Sequence, residues 1–147
     1  AIEEELIDTS RSVQIGLRGS LYDLEDHRMS EDVGFLTIPG PELHKIGNPT
    51  AIKMILDRVG SGPAYLTFDI DFIDPAYAPG TGTPEAGGFT GYDGIEIVRG
   101  LKNIDFIGYD MVEVMPPYDP AGITSLLAAN IIYEFISLIA INKKTSD

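Results

Sequence analysis

Hydrophobic and polar positions along this chain follow two rhythms, a period of two that marks strands and a period near 3.6 that marks helices. Ile2 to Leu6 reads as a short helical run. Val13-Gln14-Ile15-Gly16-Leu17 alternates as a strand does and stops at Arg18-Gly19-Ser20. The acidic stretch Tyr22 to Asp32 follows and reads as a solvated loop. Gly34 to Ile38 is a second strand, closed by Pro39-Gly40-Pro41. Asn48-Pro49-Thr50 opens a helix in which Ala51, Ile52, Ile55, Leu56 and Val59 recur at helical spacing, ending near Gly60-Ser61-Gly62-Pro63.

The second half repeats the rhythm. Tyr65 to Asp71 predicts a strand, and a Gly-rich loop runs from Pro79 to Gly88. Tyr92 to Leu101 predicts a helix and Ile104 to Val114 a strand stopped by Pro116-Pro117. Ile123 to about Ile141 is apolar around most of its circumference, with Asn130, Glu134 and Ser137 on one narrow stripe, and predicts a largely buried helix. Strands alternating with helices predict an α/β fold in layers, a mostly parallel sheet flanked by helices on both faces. Ligands in such a fold bind beyond the carboxyl ends of the strands.

Composition narrows the picture. A chain of 147 residues is expected to form a single domain, and 44% hydrophobic with 22% charged residues is ordinary for a folded protein. Ten Lys and Arg against 23 Asp and Glu give a net charge of −13, which argues against nucleic acid as a partner and favours a cationic ligand or a metal. The absence of Cys excludes disulfides, thiolate zinc sites and Cys nucleophiles, and agrees with a reducing, cytoplasmic location. No uninterrupted apolar run reaches the roughly 18 residues needed to cross a bilayer, so no membrane partner is expected. The chain opens on Ala1 and is expected to be a piece of a longer protein.

Two carboxylates interrupt the apolar strand Tyr65-Leu66-Thr67-Phe68-Asp69-Ile70-Asp71. In extended backbone, residues two apart share a side, which predicts Asp69 and Asp71 projecting together about 6.7 Å apart. Asp74, before Pro75, is placed to bond local backbone amides as well as to serve a site. An EF-hand beginning at Asp69 fails, because Ile73, Asp74 and Gly80 fall where a ligand, the turn Gly and the bidentate Glu are required. Pro79 to Pro84 lacks the Gly-Lys-Ser/Thr ending of a phosphate loop. It predicts a rigid loop facing a substrate.

The run Thr67-Phe68-Asp69-Ile70-Asp71-Phe72-Ile73-Asp74-Pro75, continued through Ala78-Pro79-Gly80-Thr81-Gly82-Thr83-Pro84 to Gly87-Gly88, resembles the ureohydrolase family of arginase and agmatinase. Gly108 to Asp119 matches the same family in the right order, and with Val13 to Gly19 and the final helix the resemblance covers nearly the whole chain. It implies the C-terminal part of an arginase-like fold, residues 1–147 forming one portion of the ureohydrolase domain. It also implies metal-dependent hydrolysis of a guanidino compound to urea and an amine, with two Mn²⁺ per complete site and a bridging hydroxide as nucleophile.

By this resemblance Asp69 and Asp71 are metal ligands, Asp71 and Glu113 act in catalysis, and Glu113, Asp74 and Thr83 face the substrate. Glu113 matches the carboxylate that pairs with the guanidinium. Glu85 after Thr83-Pro84 resembles the agmatinase branch, which implies agmatine cleaved to putrescine and urea. Guanidinobutyrate and guanidinopropionate are the alternative substrates. The family's Gly-Gly-Asp-His and Asp-x-His-x-Asp segments are absent, and His27 and His44 stand without ligand spacing. An incomplete, inactive part of the enzyme is therefore expected. A truncated paralogue that joins complete subunits is the non-enzymatic alternative, and the resemblance implies a homo-oligomer, trimer or hexamer, for the full-length protein.

Overall fold

The structure, a computed structural model, describes residues 1–21, 23 and 29–144, without the side chains at 29, 143 and 144. His27 and most of the acidic stretch lie outside the described residues. The chain divides into two compact units, Ala1–Gly60 and Ser61–Asp147.

In the first unit β1 (Val13–Ile15) and β2 (Leu36–Ile38) pair in parallel, with Val13 opposite Leu36 and Ile15 opposite Ile38. Ile2 to Leu6 forms turns instead of the expected helix, and the first helical element is a single 3-10 turn, Thr9–Arg11, capped by Asp8. One turn of helix, α1 (Met29–Asp32), stands where a loop was expected. The helix α2 spans Gly40–Val59 but breaks at Gly47, whose φ of 73° is left-handed. A side chain there would be strained. The expected helix from Asn48 is thus present, and a preceding helical segment at 40–46, carrying the exposed His44, was hidden by Pro39-Gly40-Pro41. Those residues suit a helix start as well as a strand stop, since Pro is tolerated in the first turn. Ile38, Leu43, Ala51 and Ile55 form the buried interior of this unit. Arg11 Nε donates to the Val59 carbonyl at 2.7 Å, satisfying one of the last acceptors of α2.

In the second unit β3 (Pro63–Asp69) and β4 (Asp105–Val112) pair in parallel, Pro63 opposite Asp105 and Asp69 opposite Val112. Their carboxyl ends therefore finish side by side. The helix α3 (Gly91–Gly100) begins with a capping box in which Thr90 Oγ1 accepts from the Asp93 amide at 3.2 Å and Asp93 Oδ2 accepts from the Thr90 amide at 2.8 Å. Phe72 stacks on Phe89 at 4.6 Å, Phe68 meets Phe72 edge-on at 5.6 Å, and Tyr109 stacks on Phe135 at 4.8 Å. These rings, with Ile70, Ile73, Ile97, Val98 and Ile104, make the core.

The last helix, α4 (Ile123–Lys144), corrects two expectations. Its stretch Ile123–Asn142 is long and apolar enough to cross a membrane by length and composition, although its apolar residues are interrupted. It is also less buried than its composition suggested: Thr124, Ala128, Ile131, Phe135 and Leu138 pack inward at helical spacing, while Leu126, Tyr133 and Ile136 are exposed. Only α3 and β4 pack closely on it among the described elements, so one stripe is covered. Of the polar stripe, Glu134 makes a two-pronged pair with Arg99, at 2.9 and 2.7 Å, and Asn130 and Ser137 bond carbonyls one turn back. The α/β class, parallel strands flanked by helices, is as expected.

Candidate functional site

The strand carrying the two carboxylates ends sooner than its apolar run predicts. β3 stops at Asp69, and Ile70–Phe72 turns into a single 3-10 turn. Asp69 caps that turn: its Oδ1 accepts the Asp71 amide at 3.0 Å. A short carboxylate that can bond the backbone two residues ahead competes with the ladder, so the strand curls at its first Asp. Asp69 and Asp71 remain neighbours, but through a turn and not through the side-sharing of extended backbone.

Glu113 follows the last residue of β4 and stands beside the end of β3 because Asp69 is paired with Val112. Its φ of 61° is positive, an uncommon backbone state for a residue with a long side chain. Such strain concentrates where a side chain must be aimed. Burial, and then the negative charges of Asp71 and Glu113, push the Asp69 carboxyl above the usual carboxylate range, against the lowering effect of its bond from the Asp71 amide.

The loop from Pro79 to Gly88 is tied to this edge at several points. Asp74 accepts the Ala76 amide through Oδ1 at 2.9 Å and the Gly87 and Gly88 amides through Oδ2 at 2.9 and 3.0 Å. Oδ2 thus holds the far end of the loop, while Oδ1 closes a local turn at Ala76. Thr83 Oγ1 donates to Asp71 Oδ2 at 3.0 Å. Thr81 bridges to Val114, and the Met115 amide donates to the Gly80 carbonyl at 2.8 Å. Glu85 lies exposed farther along the same loop.

Asp69, Asp71, Thr83 and Glu113 therefore meet at one edge of one unit, while Asp74 ties down the end of the loop that carries Thr83. Carboxylate oxygens suit hard divalent ions such as Mn²⁺, and Asp69, pushed up by burial and like charge, is a group that a cation would relieve. The donor type fits the metals that the family resemblance implies. The number does not: among the described residues no group of three or more His, Cys, Asp or Glu is placed to hold an ion. His44 lies in the first unit, and His27 lies outside the described residues.

Sequence reasoning passed over Asp119 and Thr124. Asp119 accepts from the amides of Thr124 and Ser125 at 3.1 and 2.7 Å and from the Ser125 hydroxyl at 2.8 Å, capping α4. The signal was available as an Asp standing shortly before a long apolar helix.

Comparison with known proteins gives these residues a context. A family model described as Arginase family matches residues 1–137. A guanidinobutyrase of Pseudomonas aeruginosa is 51% identical over 140 residues, which cover 95% of this chain and 44% of the relative. A mitochondrial agmatinase of Gallus gallus is 44% identical over 138 residues, covering 94% of this chain and 41% of the relative. The crystal structure of a hypothetical agmatinase from Burkholderia thailandensis superposes with a TM-score of 0.86 at 39% identity, covering 99% of this chain and 44% of that one. The chain thus spans less than half the length of these relatives. With the family model matched from the first residue to within the last helix, and an arginase-type fold reproduced over almost all of its length, the chain belongs to the arginase family.

Proposed function

We propose that this chain supplies the carboxylate wall of a metal-dependent amidinohydrolase active site, in a protein that cleaves a small cationic guanidino compound to urea and an amine. The observation that carries the reading is the meeting of Asp69, Asp71 and Glu113 at the adjacent carboxyl ends of β3 and β4. Asp69 and Asp71 would hold the metals, with further ligands supplied from outside these 147 residues. When bound, two Mn²⁺ supply an acidified water and offset the charge that develops during hydrolysis.

The chain's own groups do the rest. Glu113 offers two acceptors to a guanidinium, and two parallel charge-assisted hydrogen bonds would fix the plane of the group and the position of its carbon. Thr83 orients Asp71 through its hydroxyl. Asp74 holds the loop that carries Thr83 and so acts on the substrate at one remove.

Agmatine is the first substrate of this proposal, supported by the 44% identity to a protein named agmatinase. Guanidinobutyrate is the second, favoured by the 51% identity to a protein named guanidinobutyrase. A cytoplasmic location and assembly into homo-oligomers belong to the same proposal. Urea release from each substrate by the full-length protein with Mn²⁺ tests it: turnover of at least one, lost in Asp71→Asn together with Mn²⁺ content, is expected. No turnover of either substrate, or an Asp71→Asn variant with normal turnover and metal content, would reject the reading. The 147-residue chain alone is expected to release no urea.

A further inference from the structure

We infer that Asp119 and Thr124, at the start of α4, are positioning residues that set where the Gly80–Thr83 loop lies and thereby how Thr83 meets Asp71. In its catalytic consequence this rests on the amidinohydrolase reading above.

Both residues are buried, Asp119 at 7% exposure and Thr124 at 0%, although neither belongs to the apolar core by chemistry. Asp119 spends its carboxylate on the first turn of α4, accepting from the Thr124 amide, the Ser125 amide and the Ser125 hydroxyl. The Thr124 side chain turns the other way and accepts the Gly80 amide at 2.8 Å. Helix start and loop are thus linked through one residue.

The packing permits little slack at this point. A Cβ on Gly80 would lie 2.5 Å from Asp119 Cβ and 3.0 Å from Thr124 Oγ1, so the loop backbone rests directly on the two side chains. On its other side the Gly80 carbonyl accepts the Met115 amide, two residues beyond Glu113. Gly80 is therefore clamped between the start of α4 and the segment leaving β4. Thr81, 2% exposed, continues the clamp by bridging to Val114. Three residues beyond Gly80, Thr83 donates to Asp71 Oδ2. Hydrogen bonds from Asp119 to Gly80, then three residues of loop backbone to Thr83, lead from the start of α4 to Asp71.

A helix cap alone would need neither the burial of Thr124 nor a loop backbone seated on it. The arrangement instead makes the first turn of α4 a fixed seat for the loop. Displacing the seat would move the Thr83 hydroxyl relative to Asp71, and the geometry of a charge-assisted hydrogen bond is lost over a few tenths of an ångström.

Thr124→Val, which keeps shape and removes the acceptor, tests this against Thr124→Ser, which keeps it. In the full-length protein, amide hydrogen exchange of Gly80 and the carboxyl ¹³C resonance of Asp71 are followed by NMR. Thr124→Val is expected to speed Gly80 exchange about tenfold, as loss of one buried hydrogen bond implies, and to shift the Asp71 resonance, with both values restored in Thr124→Ser. Asp119→Asn is expected to loosen the Ser125 and Gly80 amides together. In the full-length protein Thr124→Val should lower kcat for agmatine or guanidinobutyrate about tenfold, the same hydrogen bond being at stake, with Mn²⁺ content and KM unchanged and Thr124→Ser restoring turnover. Faster exchange confined to Thr124 and Ser125, with Gly80 and Asp71 unmoved, would reduce Asp119 to a helix cap and overturn the inference. A loosened Gly80 with unaltered kcat would overturn its catalytic part. A full-length protein without amidinohydrolase activity would overturn the proposed function, and the NMR result would then decide the positioning role alone. Should Thr124→Val fail to fold, Ser125→Ala, which removes one donor to Asp119, takes its place with the same readouts.

Discussion

Thr83 Oγ1 donates to Asp71 Oδ2 at 3.0 Å, joining residues twelve apart across the Gly-rich loop. The bond fixes one of the two carboxylate oxygens of Asp71. It also reports whether the loop is seated, because nothing but loop backbone separates Thr83 from the clamp at Gly80.

Removing that hydroxyl without changing shape isolates it. Thr83→Val in the full-length protein is expected to lower kcat/KM for a guanidino substrate by about tenfold, the loss of one charge-assisted hydrogen bond, while Mn²⁺ content stays normal. Thr83→Ser should retain most of the activity. Urea-release kinetics with metal analysis on the same samples decides it, and equal kcat/KM in Thr83→Val and wild type would show that the bond has no part in the reaction.

Asp69 yields a prediction about stability. Its carboxyl is pushed up first by burial and then by Asp71 and Glu113, so its proton is held more tightly folded than unfolded. The sign follows from linkage: stability is full below the unfolded value, near 3.9, and is lost as pH rises through the folded value. At neutral pH the metal-free chain therefore carries a cost that Asp69→Asn removes, while the amide oxygen can still accept the Asp71 N–H. An increase on the order of 0.5 kcal/mol is expected after solvent screening, or about 2 °C in Tm, shrinking to nothing near pH 3. Thermal unfolding across pH checks this. A variant less stable than wild type at pH 7 would mean that some cationic group compensates Asp69.

The loop was legible in sequence, but the work of Asp74 was only half so. Its place before Pro75 suggested backbone amides nearby, yet the Gly87 and Gly88 amides it bonds lie thirteen and fourteen residues on, and no local pattern announces so distant a partner. The same limit explains Asp71. The apolar run through Leu66, Phe68 and Ile70 extended the strand to Asp71, whereas the side chain of Asp69 ends it by capping a turn. Periodicity records which residues are apolar, and a capping hydrogen bond is invisible to it. α4 shows a third limit: composition gave its length and polar stripe, but how much of an apolar helix is covered depends on what packs against it. The parallel sense of β3 and β4 did follow from strands that alternate with helices.

Asp74→Ala removes an acceptor shared by three backbone amides. Water can satisfy some of them, so the cost is expected to be about 2 kcal/mol, the range for hydrogen bonds to a charged group. Amides 87 and 88 should lose protection from exchange together, and Asp74→Asn should recover part of the stability. Urea denaturation and amide exchange measure both. A variant within 0.5 kcal/mol of wild type, roughly the scale of an ordinary surface change, would show that the loop is held elsewhere.

Glu113 offers the sharpest separation of stability from function. Its positive φ of 61° disfavours any residue with a Cβ, by about 1–2 kcal/mol, and glycine escapes that cost while losing about 0.5–1 kcal/mol to a freer unfolded chain. Glu113→Gly is therefore expected to stabilise the chain slightly, by about 0.5 kcal/mol, the difference between these terms. It should also relieve Asp69, since the Glu113 charge is one of the groups holding that carboxyl up. Activity should move the other way, because the carboxylate proposed to grip the guanidinium is gone. Glu113→Gln separates the two effects: it keeps the backbone strain and the side-chain length, removes one charge, and turns one acceptor into a donor that opposes guanidinium N–H groups. It should leave Tm nearly unchanged, keep both metals bound in the full-length protein and lower kcat and kcat/KM together, as expected when an interaction strengthens in the transition state. A rise in KM alone would place the interaction in the ground state. Unchanged kinetics in Glu113→Gln would take Glu113 out of the site, and a Glu113→Gly chain less stable than wild type would show that the side chain, not function, holds this backbone in place.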